Sequence, residues 1–326
     1  MDEKLYTVTP TPHILDSGSI EKTMLYVIIA LTPATVMGIV FFGLRALLMI
    51  LISIGSALFF EAAYQKFTKQ PVTVFDGSAV ITGLLLALIL PPAIPLWMPV
   101  FGNFAAIILV KQIFGGLGHN FLNPALAGRA VLVAAFAYPM TTQFILPFSG
   151  FINIDTIASP TPLFLMETGE FTPALNDYLN AFWGNISGSI GETSVIAILI
   201  GGLFLLFTKT ISWHIPVSFI AAVGILTAIF HADGFTGGIA LYHLITGGLF
   251  LGAFFMATDY PTSPVTPMGK LIFGVGCGVI TVVIRLFGGF PEGVAYAILL
   301  MNLTVPLIDR FIRPRVLGTR SKRAKI

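Results

Sequence analysis

The residues best suited to chemistry in this chain lie in one polar strip, D-T-I-A-S-P-T-P-L-F, from Asp155 to Phe164. Ser159 and Thr161 each precede a proline, Pro160 and Pro162. A residue before proline is driven towards extended backbone. The strip therefore cannot run on as a regular helix, and it holds Thr161 in a stiff, exposed stretch. The hydroxyl there could accept a covalent modification, although the same pattern also describes an ordinary turn. A second polar run, "HNFLNPALAGRA" from His119 to Ala130, places Asn123 directly before Pro124. That is the arrangement of a helix N-cap with proline in the first turn, and the amide could equally bond a ligand ring. Arg129 falls one to two turns into that helix, where a charge in apolar surroundings must find a partner or snorkel. Asp76 and Asp259 also sit at helix ends and fit either capping turns or an ion path.

Several other chemistries have no residues to carry them. The five histidines are scattered with no pair at i, i+4 spacing, so no zinc or haem pattern forms. No Walker sequence occurs, and "GGLG" near Gly115 reads as a tight turn or close helix contact rather than a phosphate cradle. The single cysteine, Cys277, lies in an apolar run; one thiol builds neither an iron–sulfur site nor an intrachain disulfide.

The elements that position these residues are set by composition. Hydrophobic residues make up 56% of the 326 and charged residues only 10%, with a mean hydropathy of +0.93. Soluble domains carry about 25% charged residues, so the chain reads as a polytopic, all-α membrane protein. Apolar runs predict ten transmembrane helices, beginning near Thr23, Leu44, Gly77, Trp97, Pro124, Ser194, Trp213, Ile239, Lys270 and Gly293. The third and eighth are glycine-rich at one end and stop at "LPPAIP" and "ATDYPTSP", which predicts broken or re-entrant helices. The N-terminal lead carries both charge signs and does not resemble a cleaved signal peptide.

With both termini on one side, 15 of the 17 lysines and arginines fall on that side and only Arg45 and Arg285 on the other. This bias predicts that both termini are cytoplasmic. The organisation follows: a cytoplasmic segment 1–22, a first membrane half 23–137, an extracytoplasmic loop region 138–193, a second membrane half 194–309 and a basic cytoplasmic tail 310–326. A basic tail after a hydrophobic segment reads as an anchor at membrane lipid rather than a nucleic-acid patch.

The halves echo each other. "ITGLLLALILPP" from Ile81 is similar to "ITGGLFLGAFFMATDYP" from Ile245, and "KQIFGGLG" from Lys111 to "IRLFGGFP" from Ile284, in the same order. Five spans per half place the second copy inverted, the architecture that frames midplane sites in transporters. A secondary transporter or channel without redox chemistry is therefore one functional reading.

Nearly the whole chain also resembles the D subunit of the Rnf electron-transport complex and, more distantly, the B subunit of the sodium-pumping NADH:quinone oxidoreductase. The resemblance is carried by "FDGSAVITGLLLALILPP", "KQIFGGLGHNFLNPALAGRA", "GSIGETS", "FFMATDYPTSPVTPMGKLIFG" and "IRLFGGFPEGVAYAILLMN". It implies a ten-helix electron-transfer subunit of an ion-translocating ferredoxin:NAD oxidoreductase, coupled to Na⁺ or H⁺ movement and lacking its own NAD site. It implies one FMN attached to threonine through a phosphoester by a flavin transferase whose target resembles D-x-x-[ST]-[SG]-A-T. Asp155, Ser159 and Thr161 match the first, fifth and acceptor positions, while Ala158 and Pro160 depart from the pattern. Thr193 and Ser194 of "GETS", at a helix N-terminus, are expected to help hold the phosphate in a loop that lacks lysine and arginine. The resemblance further suggests a second, non-covalent, riboflavin-like flavin, with Asn120, Asn123 and Arg129 as candidates. The implied partners are an extracytoplasmic flavoprotein subunit and membrane iron–sulfur subunits of the same complex.

Overall fold

The structure is a computed structural model that describes residues 19–148, 159–168, 171–230, 238–288 and 293–313. Asp155 lies outside the described residues. Among the described residues the regular structure is helical, with no strand. Ser19 opens the first helix, α1 (Ile20–Phe67), by accepting the Lys22 N–H at 3.1 Å. Gly43, at φ 68° and ψ −152°, breaks α1 into two arms, where the sequence predicted one span to end and the next to begin. Each arm, 20–42 and 44–67, is long enough at ~1.5 Å per residue to cross a ~30 Å hydrocarbon core. Beside the corner, Arg45 donates to the Ala93 and Ile94 carbonyls at 2.7 and 3.1 Å.

The second helix, α2 (Ser78–Leu88), follows a short turn in which Asp76 accepts both the N–H and the hydroxyl of Ser78, at 2.8 and 2.6 Å. Asp76 thus holds the turn that leads into α2, one of the two roles its position suggested. Against α1, Gly83 approaches so closely that a Cβ would lie 2.8 Å from the Ser53 carbonyl oxygen. α3 (Met98–Gln112) starts as an α-helix and widens to a π-helix from Phe104. α4 (Pro124–Ala135) and the short α5 (Ala137–Thr142), α6 (Pro162–Glu167) and α7 (Leu175–Trp183) follow.

α8 (Val195–Phe207) and α9 (His214–Phe230) precede a broken pair, α10 (Ile239–Ile245) and α11 (Leu249–Met256), which bends by 57° at residues 246–248. The eighth apolar run is therefore interrupted, as its glycines predicted. The corresponding stretch of the third run, Ile81 to Leu88, is continuous helix, and its irregular part comes afterwards. Last come α12 (Pro267–Phe287) and α13 (Val294–Phe311). Gly274 and Gly278, one turn apart on α12, let it lie against Ser218, Phe219 and Val223 of α9, the small-residue packing favoured in lipid.

Among the described residues, α1, α12 and α13 are long and apolar enough to cross a membrane, as is the bent pair if it counts as one span; five further apolar helices run 10–17 residues. One large apolar cluster joins α1, α2, α8, α9, α11, α12 and α13. Large apolar side chains such as Leu25, Phe59, Leu203, Ile225, Val279 and Leu303 also face outwards. A chain that buries apolar residues and still shows them on its outer helix faces is built for a lipid solvent.

Candidate functional site

Thr161 is the N-cap residue of α6, in extended backbone at φ −71° and ψ 150°, with Pro162 at the first helical position. This is the conformation its two prolines dictate. A threonine in that place ordinarily accepts an N–H of the first turn, yet its side chain makes no capping bond here. The sequence predicted an exposed strip, and the structure corrects this: Thr161 is only 9% exposed. Three anchors cause the burial. Ser187 donates its hydroxyl to the Pro160 carbonyl at 2.6 Å, the Ser159 N–H donates to the Phe144 carbonyl at 2.8 Å, and Leu163 is buried beneath. Ser159 itself is half-buried and does not line the pocket that Thr161 enters.

That pocket is walled by Thr161, Leu163, Ser187, Glu192, Thr193 and Thr246, with Gly188 and Gly247 leaving backbone exposed between them. The cavity is small, about 20 Å³, and opens to solvent. The segment 186–193 is held against the end of α2 by the Ile190 and Gly191 N–H groups, which donate to the Leu90 and Leu88 carbonyls at 3.2 and 2.7 Å. Thr193, of the "GETS" segment, lines the pocket. Ser194 does not line it; its hydroxyl caps α8 by accepting the Ala197 N–H at 3.4 Å.

The far wall is the break between α10 and α11. Gly247 and Gly248 both take left-handed φ, 69° and 67°, which a β-carbon would strain. They leave no room for one either: a Cβ on Gly247 would collide with Leu163 and stand 2.8 Å from the Arg285 guanidinium, and one on Gly248 would collide with the Glu192 carboxylate. Arg285, 4% exposed, donates to the carbonyls of His243 at 2.6 Å and of Thr246 and Gly247 at 3.2 Å. A cation thus faces the carbonyl end of α10 and a carboxylate the amide end of α11, each matched to the half-helix dipole it meets. Arg129 is 3.9 Å from Glu192. The sequence grouped Arg129 with Asn120 and Asn123; its guanidinium approaches Glu192, a residue of the pocket wall.

Asn120 and Asn123 belong to a different polar patch. Asn123 caps α4, its oxygen accepting from the Ala125 and Leu126 N–H groups at 3.1 and 3.3 Å while its nitrogen donates to the Met256 carbonyl at 3.2 Å. With its amide oriented to satisfy its neighbours, Asn302 donates to the Ile298 and Thr262 carbonyls and accepts the Asn123 N–H, each at 3.1 Å. The Asn120 amide donates to the Leu122 carbonyl. The amide groups offered for a second flavin are thus largely spent on backbone.

Asp259, in the connection after α11, accepts the Thr262 hydroxyl at 3.1 Å. Burial pushes its carboxyl up to about 6, against the hydrogen bonds from Thr262 and Asn120. The folded chain then binds its proton more tightly than the unfolded chain does. Stability is greatest below the unfolded value near 4, falls as pH rises towards 6, and is flat above. Asp259→Asn is expected to unfold at a higher temperature than the parent above pH 6, with the difference vanishing near pH 4, in thermal melts of detergent-solubilised chain.

A second buried centre went unread in the sequence. Glu61 on the second arm of α1 and Lys111 on α3 form an ion pair with both oxygens 2.9 Å from Nζ, the two side chains 1% and 3% exposed. Lys111 also donates to Ser78 at 2.6 Å, and Gln112 donates to Glu61 at 2.9 Å. This centre lies at the first residue of α2, while the Thr161 pocket's wall is tied to its last, about 15 Å away along the helix. An ionisable residue inside an apolar run was the available signal.

Among known proteins, a family model described as "NQR2, RnfD, RnfE family" matches residues 7–318. The D subunit of the Na⁺-translocating ferredoxin:NAD⁺ oxidoreductase complex of Acetobacterium woodii is 46% identical over 98% of this chain and 97% of its own. Its proton-translocating counterpart from Clostridium ljungdahlii is 44% identical over 98% of each chain. The D subunit of an ion-translocating oxidoreductase complex from Stutzerimonas stutzeri is 41% identical over 94% of each.

Proposed function

The chain belongs to the NQR2, RnfD, RnfE family, and on that premise we propose that it is a membrane subunit of an ion-translocating ferredoxin:NAD⁺ oxidoreductase complex in which Thr161 carries a phosphoester-linked FMN. The observation that supports the attachment is the state of Thr161: an N-cap threonine whose hydroxyl is withheld from capping and turned to a pocket. Bound there, the flavin would supply one- and two-electron carrying capacity. The chain's own residues supply the rest. The two prolines fix the Thr161 backbone and Thr193 lines the pocket beside it, while the Ser187 and Thr246 hydroxyls donate to the Pro160 and Tyr242 carbonyls and brace the wall. Leu163 and Ile186 exclude water beneath it, both being buried. Arg285 brings the positive charge that the loop itself lacks.

Ten membrane spans are part of the same proposal. Helices begin within a few residues of all ten starting points, counting the Gly43 corner as one. The repeated motifs also touch in space in both halves. Lys111 reaches Ser78, three residues before the first "ITG", and Arg285 reaches His243, two residues before the second. One contact lies at the start of α2 and the other at the Thr161 end of the bundle, as inverted copies require. With the termini cytoplasmic, the Thr161 pocket, Arg45 and Arg285 lie on the outer side. The Acetobacterium and Clostridium relatives differ in the ion their names give at nearly equal identity, so we leave the coupling ion as Na⁺ or H⁺. The partners are the other subunits of such a complex, and the flavin transferase.

The test is expression of the chain with and without the flavin transferase, followed by denaturing electrophoresis under ultraviolet light. A fluorescent band that survives denaturation and requires the transferase supports the reading. A dark band in both lanes returns the chain to the transporter or channel reading.

A further inference from the structure

The broken helix behind Thr161 has a feature that the attachment of a cofactor does not by itself require. α10 ends in three carbonyls, of His243, Thr246 and Gly247, that share one guanidinium. Helix ends usually leave such carbonyls to water or to a glycine-based cap. Here Gly247 and Gly248, both of left-handed φ, turn the chain after Thr246, and a side chain from another helix satisfies the carbonyls. Arg285 comes from the last turn of α12 and is buried, so it has been brought there at a desolvation cost that only several hydrogen bonds can offset. Two of the residues whose carbonyls it holds, Thr246 and Gly247, form the wall that faces Thr161. Leu163, two residues after Thr161, packs so tightly on Gly247 that a methyl group there would collide with it.

We propose that Arg285 is the positioning residue of the Thr161 pocket: it locks the break between α10 and α11 into the wall of that pocket and gives the wall its positive charge. The locking role stands on the geometry alone. The charge role rests on the covalent-flavin reading, since an ester-linked phosphate and an electron-accepting ring are the groups such a charge would favour. Glu192, which lies against Gly248 and within 3.9 Å of Arg129, offsets the opposite end of the break. Glu192 already has Arg129 as a partner, so removing Arg285 takes one positive charge away from the break.

Two variants separate shape from charge. Arg285→Met removes both; Arg285→Lys keeps the charge but cannot span three carbonyls from one planar group. In the full chain made without the transferase, hydrogen exchange of the amides at 243–250 is expected to quicken by at least about tenfold in Arg285→Met, the factor that corresponds to ~1.4 kcal/mol of lost local stability. Arg285→Lys should show a smaller acceleration. In chain made with the transferase, Arg285→Met is expected to keep a fluorescent band while its flavin midpoint potential falls, with Arg285→Lys close to the parent.

Unchanged exchange at 243–250 in Arg285→Met overturns the positioning role. A parent-like potential in Arg285→Met overturns the charge role. If Arg285→Met does not accumulate in the membrane, Arg285→Lys decides the first point by the same exchange measurement, and parent-like exchange there sinks it. A parent chain that never takes up flavin removes the covalent reading and the charge role together, and leaves the exchange result to judge the lock.

Discussion

Thr161→Val is expected to leave a folded chain with no covalently held flavin, its fluorescent band falling to background while the protein band persists. Valine copies the shape of threonine but has no hydroxyl, so it cannot form the ester. The fold should survive because Thr161 makes no capping hydrogen bond in the structure. The cost to stability should stay below the ~1 kcal/mol typical of losing a working N-cap. Ser159 offers no alternative acceptor: its N–H is tied to Phe144 and its side chain is not part of the pocket. Retained fluorescence in Thr161→Val would place the attachment elsewhere in the chain. A variant that fails to reach the membrane at all would mean that the hydroxyl has a structural duty the geometry does not reveal.

Lys111→Met is expected to destabilise the chain by ~3–5 kcal/mol, the usual consequence of stranding one member of a buried ion pair. Glu61 would then hold a carboxylate among apolar helices with only Gln112 and Gln65 to donate to it. The revealing comparison is Glu61→Met with Lys111→Met in one chain, which removes both charges and should recover most of the loss. Thermal unfolding in detergent, read for the two single variants and the pair, measures this coupling. A pair no more stable than Lys111→Met alone would show that the ion pair itself, rather than the avoidance of a lone charge, holds α1 to α3.

The beginnings of the helices could be read from the chain because apolar runs have no other place to go in a lipid solvent. Thr23 and Leu44 stand as separate starts in the sequence, and Gly43 breaks α1 between them. The extended state of Thr161 was legible too, since proline acts on its neighbour through local sterics alone. Its burial was not legible. The strip is polar and proline-rich, and nothing in its own residues announces that Ser187 will hold Pro160 or that Leu163 will sink beneath Gly247.

The same limit applies to the cations. Charge placement put Arg285 apart from the main group of lysines and arginines, but its three carbonyl partners lie about 40 residues away in sequence. The strip itself carries no lysine or arginine, and Arg285 reaches the glycine break behind it from a distant helix. Lys111 and Glu61 were hidden for another reason. The π-helical stretch from Phe104 to Gln112 shifts the facing of both residues from an α-helical count, so their pairing with Glu61 could not be read from a 3.6-residue period.

The burial of Thr161 also orders events in time. An enzyme must enclose the hydroxyl it modifies, and here the residue that bears it is 9% exposed, between a serine latch at Pro160 and a leucine seated below. If the ester forms at this residue, the transferase has to meet the strip while it is still loose, before α6 docks against the break in the second half. Maturation would then run from insertion to loading to closure, and the finished wall would keep the flavin's tether out of reach of the hydrolases that share its compartment.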